Sequence, residues 1–231
     1  MDIAGIHERT DLRNRVGVFK DRDHAGVLLA DMLAPYGLEN GIVFGIPAGG
    51  VAVGLAIAHR LALPFDVATV SKITLPWTTE AGYGAVAFEG TFILNRALIA
   101  QLPLSEDQIQ EGIRRTRSKV EHRAKEVRGN RPFPNVEGRP VIVVDDGLAS
   151  GFTMRVAIEA LRNMGADEII VAVPTAPARA VADIAELVIG AFCANIRTGI
   201  RFAVADAYRE WSDVEEDEVL AMLKREQRRL D

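Results

Sequence analysis

With one cysteine in 231 residues, Cys193, the chain can close no internal disulfide, and without a second thiol it cannot build a thiolate zinc cage. Cys193 therefore reads as a small buried hydrophobe. The four histidines, His7, His24, His59 and His122, are scattered, and none has a partner at metal-ligand spacing. No uninterrupted apolar run approaches the roughly 20 residues that cross a bilayer. The first residues, MDIAGIHERTDLRNR, carry charges where a signal peptide needs an apolar core, so a cytoplasmic protein without membrane contact is expected. A nucleophile-elbow serine is missing, and Gly45, Gly49 and Gly50 do not form the GxGxxG of a dinucleotide fold. Basic charge is also short: 27 Lys plus Arg stand against 32 Asp plus Glu, a net charge of −5, which argues against nonspecific nucleic-acid binding.

What remains is an ordinary globular composition, 48% hydrophobic and 26% charged, so disorder is excluded and the length suits one domain spanning residues 1–231. Two segments join a short apolar run to glycine and then to helical periodicity, the pattern of a buried parallel strand feeding a crossover helix. The first is residues 42–46, then Pro47, Ala48, Gly49 and Gly50, then a helix over 51–61. The second is residues 141–144, then 145–151, then a helix from about 153 to 164 that stops before Gly165. Residues 168–173 repeat the strand pattern and end at Pro174, and 65–70 give another strand before Ser71 and Lys72, so the class is α/β. Apolar positions at helical spacing, behind a Ser105/Gln108 capping box, predict one long helix to Arg128. Its many arginines and lysines read either as a contact surface or as a solvated face. A last helix near the C-terminus starts acidic and ends basic, matching its dipole.

The chemistry concentrates in VIVVDDGLASGFTM, residues 141–154: a buried strand, two adjacent carboxylates, a loop of small residues and hydroxyls, then a helix start. Loop amides and the positive helix end converge there on an anion, and Ser150 and Thr153 add hydroxyl donors. Asp145 and Asp146 would repel a phosphate, so they fit a ligand with hydroxyl groups a few ångströms from its phosphate, or a hydrated magnesium ion. A ribose 5-phosphate has that layout. The bland alternative is that the acids cap a tight turn.

This segment resembles the phosphoribosyl diphosphate (PRPP) motif of the type I phosphoribosyltransferases. The resemblance extends more loosely from FKDRDHAG at Phe19 to YREWSDVEEDEV at Tyr208, toward a branch of undefined substrate. It implies a mostly parallel twisted sheet with helices on both faces, a flap at about residues 73–92, and a small hood from the N- and C-terminal segments. It implies that Asp145, Asp146, Gly147, Leu148, Ala149, Ser150, Gly151, Phe152 and Thr153 bind PRPP. Pro47, Ala48, Gly49, Gly50 and Lys72 would receive diphosphate, with Asp145, Asp146 and Lys72 catalytic. Tyr208 and Trp211 would face the acceptor or else pack in the core, and Glu80 would reach in from the flap, a region that also reads as a rigid hairpin. Magnesium is expected, held through PRPP and water without a metal site of the protein's own, and so is a homodimer. The implied reaction is transfer of the phosphoribosyl group to a nitrogen acceptor such as a nucleobase. Four positions depart from the family pattern: Gly147 replaces an apolar residue, Ala149 the aspartate of purine-specific members, and Ala48 and Ser71 arginines. These departures keep a second reading open, a PRPP or nucleotide sensor.

Overall fold

The computed structural model describes residues 3–129 and 131–230, apart from the side chains of residues 79, 80 and 230. Strands β1 (Gly5–Glu8), β2 (Ile42–Gly45) and β3 (Phe65–Val67) belong to one six-stranded sheet. Helices α1 (Arg22–Leu33) and α2 (Gly49–Leu61) connect them in turn. After β3 the chain builds a second, antiparallel sheet from β4 (Val70–Leu75), β5 (Thr78–Ala87) and β6 (Phe92–Leu94). The short α3 (Arg96–Ile99) and long α4 (Glu106–Arg128) follow. The chain then returns to the main sheet through β7 (Val141–Val144), α5 (Phe152–Asn163), β8 (Ile169–Pro177), α6 (Ala178–Ala185) and β9 (Gly190–Arg197), and ends in α7 (Glu216–Leu230).

The main sheet has the order β1-β9-β8-β7-β2-β3 with every neighbour parallel. Strand alternation sorts its side chains into two cores. Ile42, Phe44, Val141, Val143, Ile169 and Val171 face α5 and α6, where Met154, Ile158, Leu161, Val181 and Ile184 cover them. Val43, Ile142, Val144, Ile170 and Phe192 face the other way, onto Leu29, Leu33, Val53 and Ile57 of α1 and α2. Burial on both faces explains why these strands read as continuous apolar runs. Cys193 lies wholly inside, and burial pushes its thiol up to about 12. No helix among the described residues is long and apolar enough to cross a membrane.

Two expectations shift. The strand expected over 65–70 splits: β3 ends at Val67, the Asp66 carboxylate accepts the Val67 amide and an Arg128 guanidinium N–H, and Val70 opens β4 in the other sheet. The strand expected to end at Pro174 continues to Pro177. The β7–β8 pairing stops at Val144 and Ala172, so no β7 carbonyl waits for the missing proline N–H. The expected flap segment is a hairpin: Ile73, Tyr83 and Val86 pack on Ile109, Ile113 and Val120 of α4, whose predicted capping box is present. Many of the basic side chains of α4 are exposed, and Arg114 pairs with Glu111 at 2.7 Å, which fits the solvated-face reading.

Helices α1 and α2 cross at Gly26, where an added Cβ would stand 2.5 Å from the Val53 carbonyl oxygen and 2.6 Å from Ala56 Cβ. Backbone on the facing helix cannot yield cheaply. Gly26→Ala should therefore lower the urea midpoint by the equivalent of about 1–3 kcal/mol, and a wild-type midpoint would show that the two helices can separate.

Candidate functional site

The chain leaves β2 toward β3 on one side and returns to β7 on the other, so the loops after β2 and β7 diverge at the carboxyl edge of the sheet. Such a reversal opens a crevice in α/β sheets. Here it holds a cleft of about 520 Å³ whose far wall is the β4–β5 hairpin.

From β7 come Asp145 and Asp146. Asp145 Oδ1 accepts the Asp146 amide at 2.9 Å, and Asp146 Oδ2 accepts from Arg22 Nε at 2.9 Å. The Tyr208 hydroxyl donates to the Asp146 carbonyl at 2.7 Å. The loop that follows lines the cleft through Gly147, Leu148, Ala149, Ser150 and Gly151, and continues into Phe152 and Thr153 at the start of α5. Leu148 anchors it, being buried and donating its amide to the Thr175 carbonyl at 3.0 Å. Gly151 has φ +70, a left-handed conformation that glycine adopts without a Cβ penalty. Gly147 has a packing reason: its Cβ would lie 2.5 Å from Val204 Cγ1, so Val204 fills the space that an apolar side chain would otherwise take.

From β2 come Pro47, Ala48 and Gly49, which line the cleft, while Gly50 lies beneath it. The Pro47–Ala48 peptide is cis. A Cβ on Gly49 would stand 1.8 Å from Asp146 Oδ2, and one on Gly50 2.6 Å from the Val144 carbonyl oxygen. Only glycines let α2 begin this close to the acidic loop. Lys72 reaches the cleft from within β4 and is exposed. Ser71 faces away from it: buried on the same strand face as Ile73, its Oγ has no partner. Position 48 thus faces the cleft, whereas position 71 does not.

Tyr208 and Trp211 are not among the cleft residues. Tyr208 is buried beside Phe19, and the Trp211 ring stacks on Arg22, whose guanidinium carbon lies 4.1 Å from the ring centre. The Glu80 side chain lies outside the described residues. Asn95 and Val204 line the cleft without having been expected from the sequence, Tyr83 reaches it from the segment expected as a flap, and Arg22 contacts Asp146. Arg22 sits inside the FKDRDHAG segment, whose place in the chain offers no hint of that contact.

Burial dominates the electrostatics. It raises the Asp145 carboxyl well above the usual carboxylate range, with the neighbouring Asp146 charge adding to the effect and Arg22 easing it. Asp146 is raised as well, since its loss of water outweighs the pairing with Arg22. Tyr208 is raised by burial and then by the Asp146 charge. Among the described residues lining the cleft, Lys72 is the one cation against two carboxylates. No group of three His, Cys, Asp or Glu among the described residues is placed to hold a metal ion.

An open parallel sheet with an acid pair and an anion-ready helix entry at its switch point defines a class of α/β proteins that take a phosphorylated, hydroxyl-bearing ligand. Similarity to known proteins sharpens this. Residues 89–207, which include the acidic loop, match the family model of the phosphoribosyl transferase domain, and the chain belongs to that family. The crystal structure of TT1426 from Thermus thermophilus is 34% identical, with a TM-score of 0.73 over 89% of this chain and 97% of that one. Two Mycobacterium tuberculosis relatives, "Putative phosphoribosyl transferase MT0597" and "Putative phosphoribosyl transferase Rv0571c", are each 33% identical over 211 residues. That alignment covers 91% of this chain and 47% of each relative, so the chain spans about half the length of the curated relatives it matches.

With both acids raised, the folded state binds protons more tightly than the unfolded chain, so stability falls as pH rises from the usual carboxylate range through the raised values. Asp145→Asn removes a buried like charge. The variant should melt above wild type at neutral pH, with the gap closing on acidification. Equal melting temperatures at neutral pH would mean that the pair carries no repulsion.

Proposed function

We propose that the chain transfers the phosphoribosyl group of PRPP to a nitrogen of a small heterocyclic acceptor, such as a nucleobase, and releases diphosphate. The observation that carries this reading is the acid pair at the end of β7 followed at once by an amide-rich turn into α5, all within one cleft. In this reading the Asp145 and Asp146 carboxylates accept the ribose hydroxyls and favour the cationic sugar of the transition state. The amides of residues 147–153, with the Ser150 and Thr153 hydroxyls, take the 5-phosphate. The cleft face of Pro47, Ala48 and Gly49, with Lys72, receives the diphosphate, and Gly50 lets that loop approach the acids. Most of the rate comes from positioning and charge stabilisation. Ala149 can take no proton, so the acceptor nitrogen attacks without a general base at that position and its proton leaves with the diphosphate or to water. The β4–β5 hairpin forms the wall that excludes water from the reacting carbon.

Magnesium fits a cleft where no group of three protein ligands is placed among the described residues: the ion would take its oxygens from PRPP and water. It would supply neutralisation of the charge on the departing diphosphate. The chain acts in this reading as one domain, cytoplasmic and homodimeric; light scattering at a protomer-sized mass across concentrations would remove the dimer from it.

Binding without turnover is the second reading, and the charge of the cleft favours it: Ala48 faces the cleft, leaving Lys72 alone opposite two acids among the described residues. A thermal-shift screen with PRPP, diphosphate and mononucleotides, with and without magnesium, followed by a turnover assay with the acceptor it names, separates the readings. PRPP with magnesium should stabilise the protein by about 2.7 kcal/mol at a hundredfold excess over Kd, and a mononucleotide that does the same names the acceptor. Absence of any shift with PRPP would remove the transferase reading, and absence of a shift with the mononucleotides as well would remove both. Where turnover is found, Asp146→Asn should lower kcat about 100-fold while the protein stays folded; undiminished kcat would take Asp146 out of the mechanism.

A further inference from the structure

The two terminal segments that carry the outlying resemblance, FKDRDHAG and YREWSDVEEDEV, do not line the cleft, yet they meet on Asp146. Phe19 and Tyr208 form a parallel bridge. Around it the Gly17 amide donates to the Asp206 carbonyl at 2.8 Å, Phe19 to Ala207 at 2.9 Å, Arg209 to Phe19 at 2.9 Å and Glu210 to Lys20 at 2.9 Å. This ladder delivers the chain to α1, whose N-cap Asp21 accepts the His24 amide at 2.8 Å and whose first residue is Arg22.

Three contacts fix the Arg22 guanidinium. Nε donates to Asp146 Oδ2 at 2.9 Å, Nη1 donates to the Ser212 carbonyl at 2.9 Å, and the flat face lies on Trp211. The Arg22 and Asp146 side chains are 11% and 16% exposed, so solvent screens the pair little. From the same ladder the Tyr208 hydroxyl holds the backbone carbonyl of Asp146. Carboxylate and carbonyl of one residue are thus both gripped from the terminal segments. The fork of an arginine suits this place, since it can stack on an indole and still point two N–H groups along its edge, which a lysine ammonium cannot do. A placement chosen for stability alone would not need it, because replacing a buried ion pair by apolar groups is often neutral or stabilising.

Resting on the transferase reading, we infer that Arg22 is a positioning residue, holding the Asp146 carboxylate turned toward the ribose, with Trp211 and Ser212 fixing the guanidinium in turn. The titratable and charged groups facing Asp146 are few: Arg22 from α1, Tyr208 from the C-terminal segment and Asp145 on its own loop, with Lys72 sharing the cleft from β4. Helix α2 meets it at Gly49. Arg22 is the one cation hydrogen-bonded to this carboxylate among the described residues. Without it, burial acts on Asp146 unopposed, and the carboxylate loses both its counter-charge and the contact that fixes its direction.

The test uses Arg22→Gln and Arg22→Lys with two readouts. One is the 13C titration of aspartate carboxyls in the ligand-free protein, assigned with Asp146→Asn. The other is the pH profile of magnesium–PRPP affinity by calorimetry. In Arg22→Gln the Asp146 midpoint should rise by about 1–3 pH units and affinity at neutral pH should fall about tenfold or more, the deficit shrinking as pH increases. Arg22→Lys should restore most of the midpoint and only part of the affinity. Should Arg22→Gln fail to fold, Trp211→Leu keeps the charge but loosens its placement, and should move the midpoint the same way by less. A folded Arg22→Gln, or in its place Trp211→Leu, with the wild-type midpoint overturns the inference. The carboxyl titration needs no substrate, so it judges Arg22 even if wild type shows no affinity for PRPP, which would count against the transferase reading alone.

Discussion

Two adjacent carboxylates at the end of a fully buried strand are costly, because each has lost water and each repels the other. The surroundings answer that cost from three directions. A guanidinium from the first helix meets one acid, a backbone amide meets the other, and glycines at the start of α2 let the loop after β2 come within contact of the pair. What burial leaves unsatisfied is what a ligand with hydroxyl groups and a divalent ion can satisfy. The site is therefore least comfortable when empty, and differential binding can draw on that discomfort.

Topology makes this arrangement possible. Parallel strands must return by crossovers, and with α2 covering one face and α5 the other, the loops after β2 and β7 part at the carboxyl edge. The antiparallel hairpin adds a wall from a second sheet, braced on its outer side by α4. Polar groups gather at the acid pair, Lys72, Ser150 and Thr153, while Val204 seated on Gly147, and Tyr83 with Asn95, complete the lining.

The parts of this picture that were legible in the sequence are those with a local signature. Strands β2, β7 and β8 announced themselves as apolar runs because both faces are buried, and α4 by its period and its capping box. The acid pair and its loop were legible because strand, acids, small residues and helix start are consecutive. Elements whose reason is distant were not. Strand β1 is short, half polar, and paired with β9 alone on the sheet edge. The split between β3 and β4 sends consecutive residues to two different sheets, β3 to β2 and β4 to β5, a partition that no local pattern in 65–70 signals. Position 71 reads as next to Lys72 in sequence, yet strand alternation sends the two side chains to opposite sides. Arg22 and Asp146 are 124 residues apart, and no periodicity could join them.

The joining of residues 17–22 to 206–212 beside Asp146 has a consequence for biosynthesis. On the ribosome, the sheet strands through β8 and the acidic loop emerge well before Tyr208, Trp211 and Ser212 can fold back. Until then Arg22 has no shelf to lie on, and the nascent chain carries an unguarded pair of acids. Asp146 gains its full set of contacts only after residues 208–212 have emerged, and fragments that stop short of them would lack those contacts even with every cleft residue in hand.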